Sequence, residues 1–324
     1  MLVVALFGRL LVLLFHRSGK PEPNARRSGD VQRIGQPDGR QLHVECFGHR
    51  DAQPIILTLG WGMNSTEWYY ARESLAKRFR LIVWDLPGLG KSPKPPNNDY
   101  RLETLARDLA AVVKIAGPKP AVLMGHSTGG MITLTFCRLF ADSLGTTVAS
   151  LVLVHTTYTN PVKTTTLSNL FSALQKPLLE PLMYVTIALS PVLWLLNWLS
   201  YLNGTMHLST ELQGFSGRET SGQLDFASRF MPLASPAVMA RGMLAMFRFD
   251  ETKTLETIEI PVLVVAGDRD PVLLAEASEF IDRSVKSAKL VTLSPAKHMG
   301  HMEDHERFDD LVVDFLGTPP LRAC

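Results

Sequence analysis

In the stretch AVLMGHSTGG, residues 121–130, an apolar run ends in a serine that has a glycine two residues away on either side. Gly125-His126-Ser127-Thr128-Gly129 satisfies G-x-S-x-G, with a strand-like segment before it and a helix-like one after it. A turn that tight puts the serine in a strained backbone region, where neighbours with side chains would collide. The elbow glycines Gly125 and Gly129 remove those collisions and leave the Ser127 hydroxyl exposed at the head of a helix. A plain helix-capping serine is the alternative, but caps rarely come flanked by glycines in this way.

A serine hydroxyl is a poor nucleophile until a base takes its proton and an acid orients that base. Both lie further along the chain if the order Ser, Asp, His holds. The acid candidates follow the apolar run PVLVVAG. Asp270, with Pro271 stiffening the turn behind it, is the choice, and Asp268 is the alternative, otherwise suited to holding loop amides. The base candidates lie in SPAKHMGHMEDHERF. His301, after Gly300 and a few residues ahead of a final amphipathic helix, is the choice, and His298 is the runner-up. His305 falls at the helix start, where a solvated or capping role is expected. The H-x-x-H spacing lacks an accompanying carboxylate or cysteine set of known zinc spacing, so no metal and no cofactor are expected. A tetrahedral intermediate needs two main-chain donors. Thr128, the residue after the nucleophile, supplies one, and Trp61 in the loop GWGMNSTEW supplies the other while its indole can wall a pocket.

These residues must be carried by a framework of alternating strands and helices. VQRI and QLHVECF flank the turn GQPDGR and read as a hairpin. PIILTL, RLIVWD, AVLM, SLVLVH, PVLVVAG and KLVTL read as strands, the continuous apolar ones as strands covered on both faces. Helices are expected from Asn64, with Glu67 completing a capping box, and over RLETLARDLAAVVKIAG up to Gly117. Further helices are expected over GGMITLTFCRLF, over LLAEASEFIDRSV and at the end of the chain, where Phe308, Leu311, Val312, Phe315 and Leu316 share a face. The pattern implies an α/β chain with a mainly parallel twisted sheet and reactive groups at the carboxyl ends of its strands.

The alternation stops from about Thr156 to Asp250, which is expected to form a helical cap of residues 156–250 over a core made of 31–155 and 251–317. Within it, residues 181–202 carry no charge and are long enough to span a bilayer. A crossing there would put Ser127 on the opposite side from Asp270 and His301, so the segment reads instead as a cap helix or helix pair broken near Pro191. Its apolar face would line a pocket or dip into a membrane surface.

With 324 residues, 46% hydrophobic content and a net charge of +2, the chain suits one large core and offers no charge imbalance that would draw nucleic acid. Cys46, Cys137 and Cys324 are too far apart for a metal spacing or a disulfide framework and read as buried or incidental thiols. Asn64 and Asn203 open Asn-x-Thr triplets, short patterns that arise often by chance. The first 15 residues are apolar apart from Arg9, short for a spanning helix, and the basic residues Arg17, Lys20, Arg26 and Arg27 follow. Residues 1–30 therefore read as a membrane anchor with its linker or as a helix packed on the protein's own surface, and the location as cytoplasmic or membrane-associated.

On GHSTGG, WDLPGLGKS, GDRD and GHMEDHERF, the sequence resembles the α/β-hydrolase superfamily across roughly residues 31–317. The resemblance implies the α/β-hydrolase fold, Ser127 as nucleophile, Asp270 as acid, His301 as base, and Trp61 and Thr128 as oxyanion donors. It departs from many relatives in carrying Leu59-Gly60 where they have His-Gly before the oxyanion loop. Serine at the elbow favours acyl chemistry over the alkyl halides and epoxides that relatives attack with aspartate. The expected function is hydrolysis of carboxylic esters with an apolar acyl or aryl group, with membrane-surface contact through residues 1–16 and the cap. Two alternatives are a cofactor-free haloperoxidase-like perhydrolase, which GHSTGG also resembles, and a binding protein that keeps the fold without turnover.

Overall fold

The computed structural model describes residues 2–27 and 29–317, so Cys324 lies outside the described residues, while Cys46 and Cys137 are free thiols. Asp30–Gly35 (β1) and Gln41–Phe47 (β2) pair antiparallel as the expected hairpin. Pro54–Thr58 (β3), Arg80–Trp84 (β4), Ala121–His126 (β5), Val148–Val154 (β6), Val262–Gly267 (β7) and Ala288–Leu293 (β8) complete the sheet. Its order is β1-β2-β4-β3-β5-β6-β7-β8, antiparallel at the β1–β2 and β2–β4 edge and parallel beyond. Every residue of β3, β4, β5 and β7 is buried, as their unbroken apolar runs require of strands covered on both sides.

Leu2–Leu13 (α1) precedes the sheet, and Tyr69–Leu75 (α2), Leu102–Val113 (α3) and Thr128–Leu139 (α4) link its strands. Between β6 and β7 lie Ser168–Leu174 (α5), Glu180–Ala188 (α6), Ser190–Leu202 (α7), Thr205–Gly214 (α8), Ser221–Ser228 (α9), Phe230–Leu233 (α10) and Pro236–Met246 (α11), the helical insertion expected there. Thr252–Leu255 (α12), Ala275–Ser284 (α13), Gly300–Glu303 (α14) and His305–Phe315 (α15) follow. Alternate strand residues face opposite layers: Ile56, Ile82 and Leu123 meet α3 and α4, whereas Ile55, Leu81 and Val122 meet α2 and α15.

The helix expected from Asn64 begins as a 3₁₀ turn, Ser65–Trp68, before α2. Asn64 caps that turn through the Thr66 N–H at 3.0 Å, but the Glu67 side chain turns inward and does not close a capping box. Asn203 likewise accepts from the Thr205 N–H at the start of α8.

The N-terminal helix packs on the chain's own insertion. α1 lies against α7 and α8, and the Arg9 guanidinium donates to the Tyr201 hydroxyl at 2.7 Å. Arg27, in the basic linker, donates to Glu45 at 2.6 Å and to Asp85 at 3.0 Å, tying the linker to the sheet edge. Among the described residues no single helix is long and apolar enough to cross a membrane. The segment 168–188 and α7 reach that length and composition only as a pair bent by 93°, the break falling at Leu189 just before Pro191.

Candidate active site

β5 ends at His126, and Ser127 holds φ +52° and ψ −119° before α4 begins. The Ser127 N–H donates to the Val154 carbonyl at 2.9 Å, and the Ser127 carbonyl accepts from the Thr156 hydroxyl at 2.6 Å. These bonds hold a left-handed serine that a free chain would avoid. A Cβ on Gly125 would lie 2.6 Å from the Gly130 nitrogen, and one on Gly129 would lie 2.8 Å from the Thr58 carbonyl carbon. The glycines are thus required by close approach of β3, β5 and α4, as the motif implied.

The imidazole that meets Ser127 is that of His298. Its Nε2 is 3.0 Å from the Ser127 Oγ, and its Nδ1 is 2.7 Å from Asp270 Oδ2. His301, expected as the base, does not reach the serine. It sits in the single turn of α14, which starts at Gly300, and this winding directs its ring inward against Trp68 and Glu67. His298 precedes that turn in the loop after β8, free to extend toward the elbow. His301 is buried, and burial together with the neighbouring His126 holds its ring at a pKa of about 3, neutral at ordinary pH. His305 opens α15 and stacks flat on Tyr70 at 3.7 Å.

Asp270 occupies the expected position three residues past β7. Its Oδ1 accepts the Val272 and Leu273 N–H groups at 2.8 and 3.1 Å. Burial pushes its carboxyl up, but His298 and His155 more than reverse this and leave it well below the usual carboxylate range. His155, which the sequence reading did not single out, lies at the end of β6 with φ +44°, its Nδ1 3.5 Å from Asp270 Oδ2. Burial holds His155 neutral, with a pKa of about 4. Asp268 takes the loop role foreseen for it: it accepts from the Ala296 N–H at 2.9 Å and from the Ser294 hydroxyl at 2.7 Å, steadying the segment that carries His298.

Trp61 and Thr128 both line the cavity into which Ser127 opens. Thr128 is the first residue of α4, so its amide is among those a helix leaves without an intrahelical acceptor. The Trp61 indole donates to the Met239 carbonyl at 3.1 Å and walls the cavity. With Leu59 in place of the relatives' histidine, the loop is braced from Glu67, whose Oε2 accepts the Gly60 N–H at 3.0 Å. Only its capping-box spacing marked Glu67 in the sequence, and that spacing pointed to a different role.

The other Glu67 oxygen lies 2.5 Å from His126 Nδ1 and 3.5 Å from His301 Nε2, so these three residues face one point. Two ligands of one zinc ion stand roughly 3.3 Å apart, given bonds of about 2.0–2.2 Å. The 2.5 Å separation is that of a direct contact between carboxylate and imidazole and does not fit a shared ion.

The cavity encloses about 290 Å³ beside Ser127 and His298. Met63, Met131 and Met299 contribute flexible, polarisable walls, with Met206 of α8, Met231 of α10 and Met239, Met243 and Met246 of α11 from the insertion. Eight of the chain's 12 methionines therefore border this one space, which suits an adaptable apolar group. A larger cleft of about 690 Å³ lies elsewhere, between α3, α4 and the insertion, lined by charged residues such as Arg101, Arg138 and Glu251 and without Ser127. The chemistry available at the first cavity is proton transfer from a hydroxyl to an imidazole backed by an ionised carboxylate.

Comparison with known proteins agrees with this architecture. The sequence profile described as alpha/beta hydrolase fold matches residues 53–305. The AB hydrolase superfamily protein YisY of Bacillus subtilis is 26% identical over 280 residues, covering 86% of this chain and 96% of its own length. The pimeloyl-[acyl-carrier protein] methyl ester esterase of Aeromonas hydrophila is 25% identical over 284 residues, covering 85% of this chain and 99% of its own. Among solved structures, a thermophilic esterase from Thermogutta terrifontis superposes with a TM-score of 0.70 at 23% identity, covering 89% of this chain and 98% of that one, a likeness of fold.

Proposed function

We propose, from the premise that this chain belongs to the alpha/beta hydrolase fold family, that it is a serine hydrolase of carboxylic esters with an apolar acyl or aryl group. The carrying observation is the continuous hydrogen-bonded line Ser127–His298–Asp270 opening onto a methionine-lined cavity. In this reading His298 Nε2 takes the Ser127 proton as the Oγ attacks the ester carbonyl carbon. The carbonyl oxygen becomes an oxyanion held by the main-chain N–H groups of Trp61 and Thr128. His298, held by Asp270, then gives the proton to the departing alcohol and leaves an acyl-serine. Water loses a proton to His298, attacks the acyl carbon and releases the acid, and the proton returns to Ser127.

The names of several relatives support ester chemistry, since pimeloyl methyl ester esterases and an esterase from Rhodococcus are among them. The helical insertion acts in this reading as a cap, because its Met206, Met231, Met243 and Met246 close the cavity opposite Ser127. A membrane surface is the partner we propose for its outer side. There α6 and α7 expose Leu182, Tyr184, Val185, Trp194, Leu195 and Leu196, and α1 with the turn after it exposes Leu10, Leu11 and Leu14 beside them. The face is continuous with the cavity mouth through α8, where Leu208 and Leu212 are exposed and Met206, Ser209 and Thr210 line the cavity. Exposed Arg17 and Lys20 follow α1 and match anionic headgroups in charge.

A fluorophosphonate probe and a series of p-nitrophenyl esters from acetate to laurate test the proposal. Wild type is expected to be labelled and to prefer medium or long acyl chains, and Ser127→Ala to lose both labelling and turnover. Absence of labelling in wild type, or undiminished labelling of Ser127→Ala, overturns the enzyme reading and favours a binding protein. Peroxide-dependent halogenation in acetate without ester turnover favours the perhydrolase alternative.

A further inference from the structure

We infer that Glu67 and His126 form a buried polar clamp that positions the oxyanion loop and the His298-bearing loop on either side of Ser127. Three segments far apart in the chain meet at this pair. Gly60, in the loop after β3, gives its N–H to Glu67 Oε2 at 3.0 Å. His126, the last residue of β5, brings its Nδ1 to 2.5 Å from Glu67 Oε1 and its Nε2 to 3.0 Å from the His298 carbonyl. The Nδ1 contact falls outside the directional limits of a hydrogen bond and is a close polar contact. A carbonyl only accepts, so His126 Nε2 donates to the His298 carbonyl while the Nδ1 side of the ring lies against the Glu67 carboxylate.

Both side chains are at most 1% exposed, where an unpaired charge would be strongly unfavourable. Burial pushes the Glu67 carboxyl up, and His126 and His301 more than reverse this, leaving it at about 2 and ionised at neutral pH. The loop lies directly on the ring, since a Cβ on Gly60 would be 2.9 Å from His126 Nδ1. One rigid pair thus sets the heights of the Trp61 amide, next to Gly60, and of the His298 ring relative to the serine. Neither residue borders the substrate cavity, so both are positioning residues.

This inference rests on the esterase reading for its effect on rate, and its physical core is testable without it. The full chain is compared with Glu67→Gln, His126→Asn and the double variant, by p-nitrophenyl butyrate kinetics and by hydrogen exchange of peptides spanning residues 60–64 and 296–300. Each single variant is expected to lose roughly tenfold to hundredfold in kcat with KM changed by less than about threefold. The double variant is expected to be no worse than the poorer single one, because the pair acts as a unit. Exchange is expected to quicken in both loops in either single variant, whichever of the two is made. Unchanged exchange in both loops, additive losses, or kcat retained within about twofold overturns the clamp. So does one equivalent of tightly bound divalent metal in wild type. If exchange responds while wild type does not hydrolyse esters, the esterase reading fails and the clamp stands. If Ser127→Ala abolishes turnover while exchange does not respond, the clamp alone fails.

Discussion

His298 and His301 are three residues apart and chemically identical, yet their surroundings assign them opposite work. His298 lies between a hydroxyl and an ionised carboxylate, at 3.0 and 2.7 Å, whereas neither His301 nitrogen has a hydrogen-bond partner among the described residues. His298→Ala is accordingly expected to lower kcat by roughly 10⁴-fold or more, and His301→Gln by less than about tenfold, in ester turnover. The same pair of variants separates catalysis from stability. His301 has a folded pKa of about 3 against an ordinary value near 6.5, so the unfolded chain binds the extra proton as pH falls between these values. Its contribution is therefore present above about pH 6.5 and is lost on acidification toward pH 3. The urea midpoint of His301→Gln is expected to fall less steeply than that of wild type between pH 6.5 and 4; an equal slope would rule out a neutral buried His301.

At the scale of elements, the site depends on how closely three of them approach. α4 meets the end of β3 at Gly129, where a Cβ would come within 2.8 Å of the Thr58 carbonyl carbon, main-chain atoms that cannot rotate aside. Gly129→Ala is expected to lower unfolding free energy by about 1–3 kcal/mol, since overpacking at a backbone contact forces the elements apart. It should also slow fluorophosphonate labelling more than it changes far-UV circular dichroism; labelling at the wild-type rate would show that the elbow tolerates the extra carbon. The 3₁₀ turn Ser65–Trp68 has a corresponding function. By tightening the chain before α2 it turns Glu67 inward to the Gly60 amide, where a regular capped helix would have turned the side chain back on its own first turn.

At the scale of the molecule, one side is covered by apolar side chains that the core does not bury: Leu14 is 77% and Leu212 70% exposed, and Leu195 55%. In the proposed reading this apolar face, with Arg17 and Lys20 beside it, meets a lipid surface. The full chain is expected to float with phosphatidylcholine–phosphatidylglycerol vesicles, and Leu14→Glu combined with Leu195→Glu to abolish flotation while sparing turnover of a soluble ester. Flotation unaffected by the two charges, or a dimer in solution that buries this face, would assign it otherwise. Much of the rest was legible beforehand. Runs of apolar residues near the period of strand or helix, with glycines at the elbow, specify local geometry, so the succession of strands and helices and the places of Ser127 and Asp270 could be read without coordinates. Local pattern carries no information on which way a side chain points once loops from distant segments converge. The choice of His298 over His301, the inward turn of Glu67, the approach of His155 to Asp270 and the packing of α1 on α7 are all contacts between residues remote in sequence. Tertiary packing decided them, because only there do burial and opposed charge select among neighbours that the linear pattern leaves equivalent.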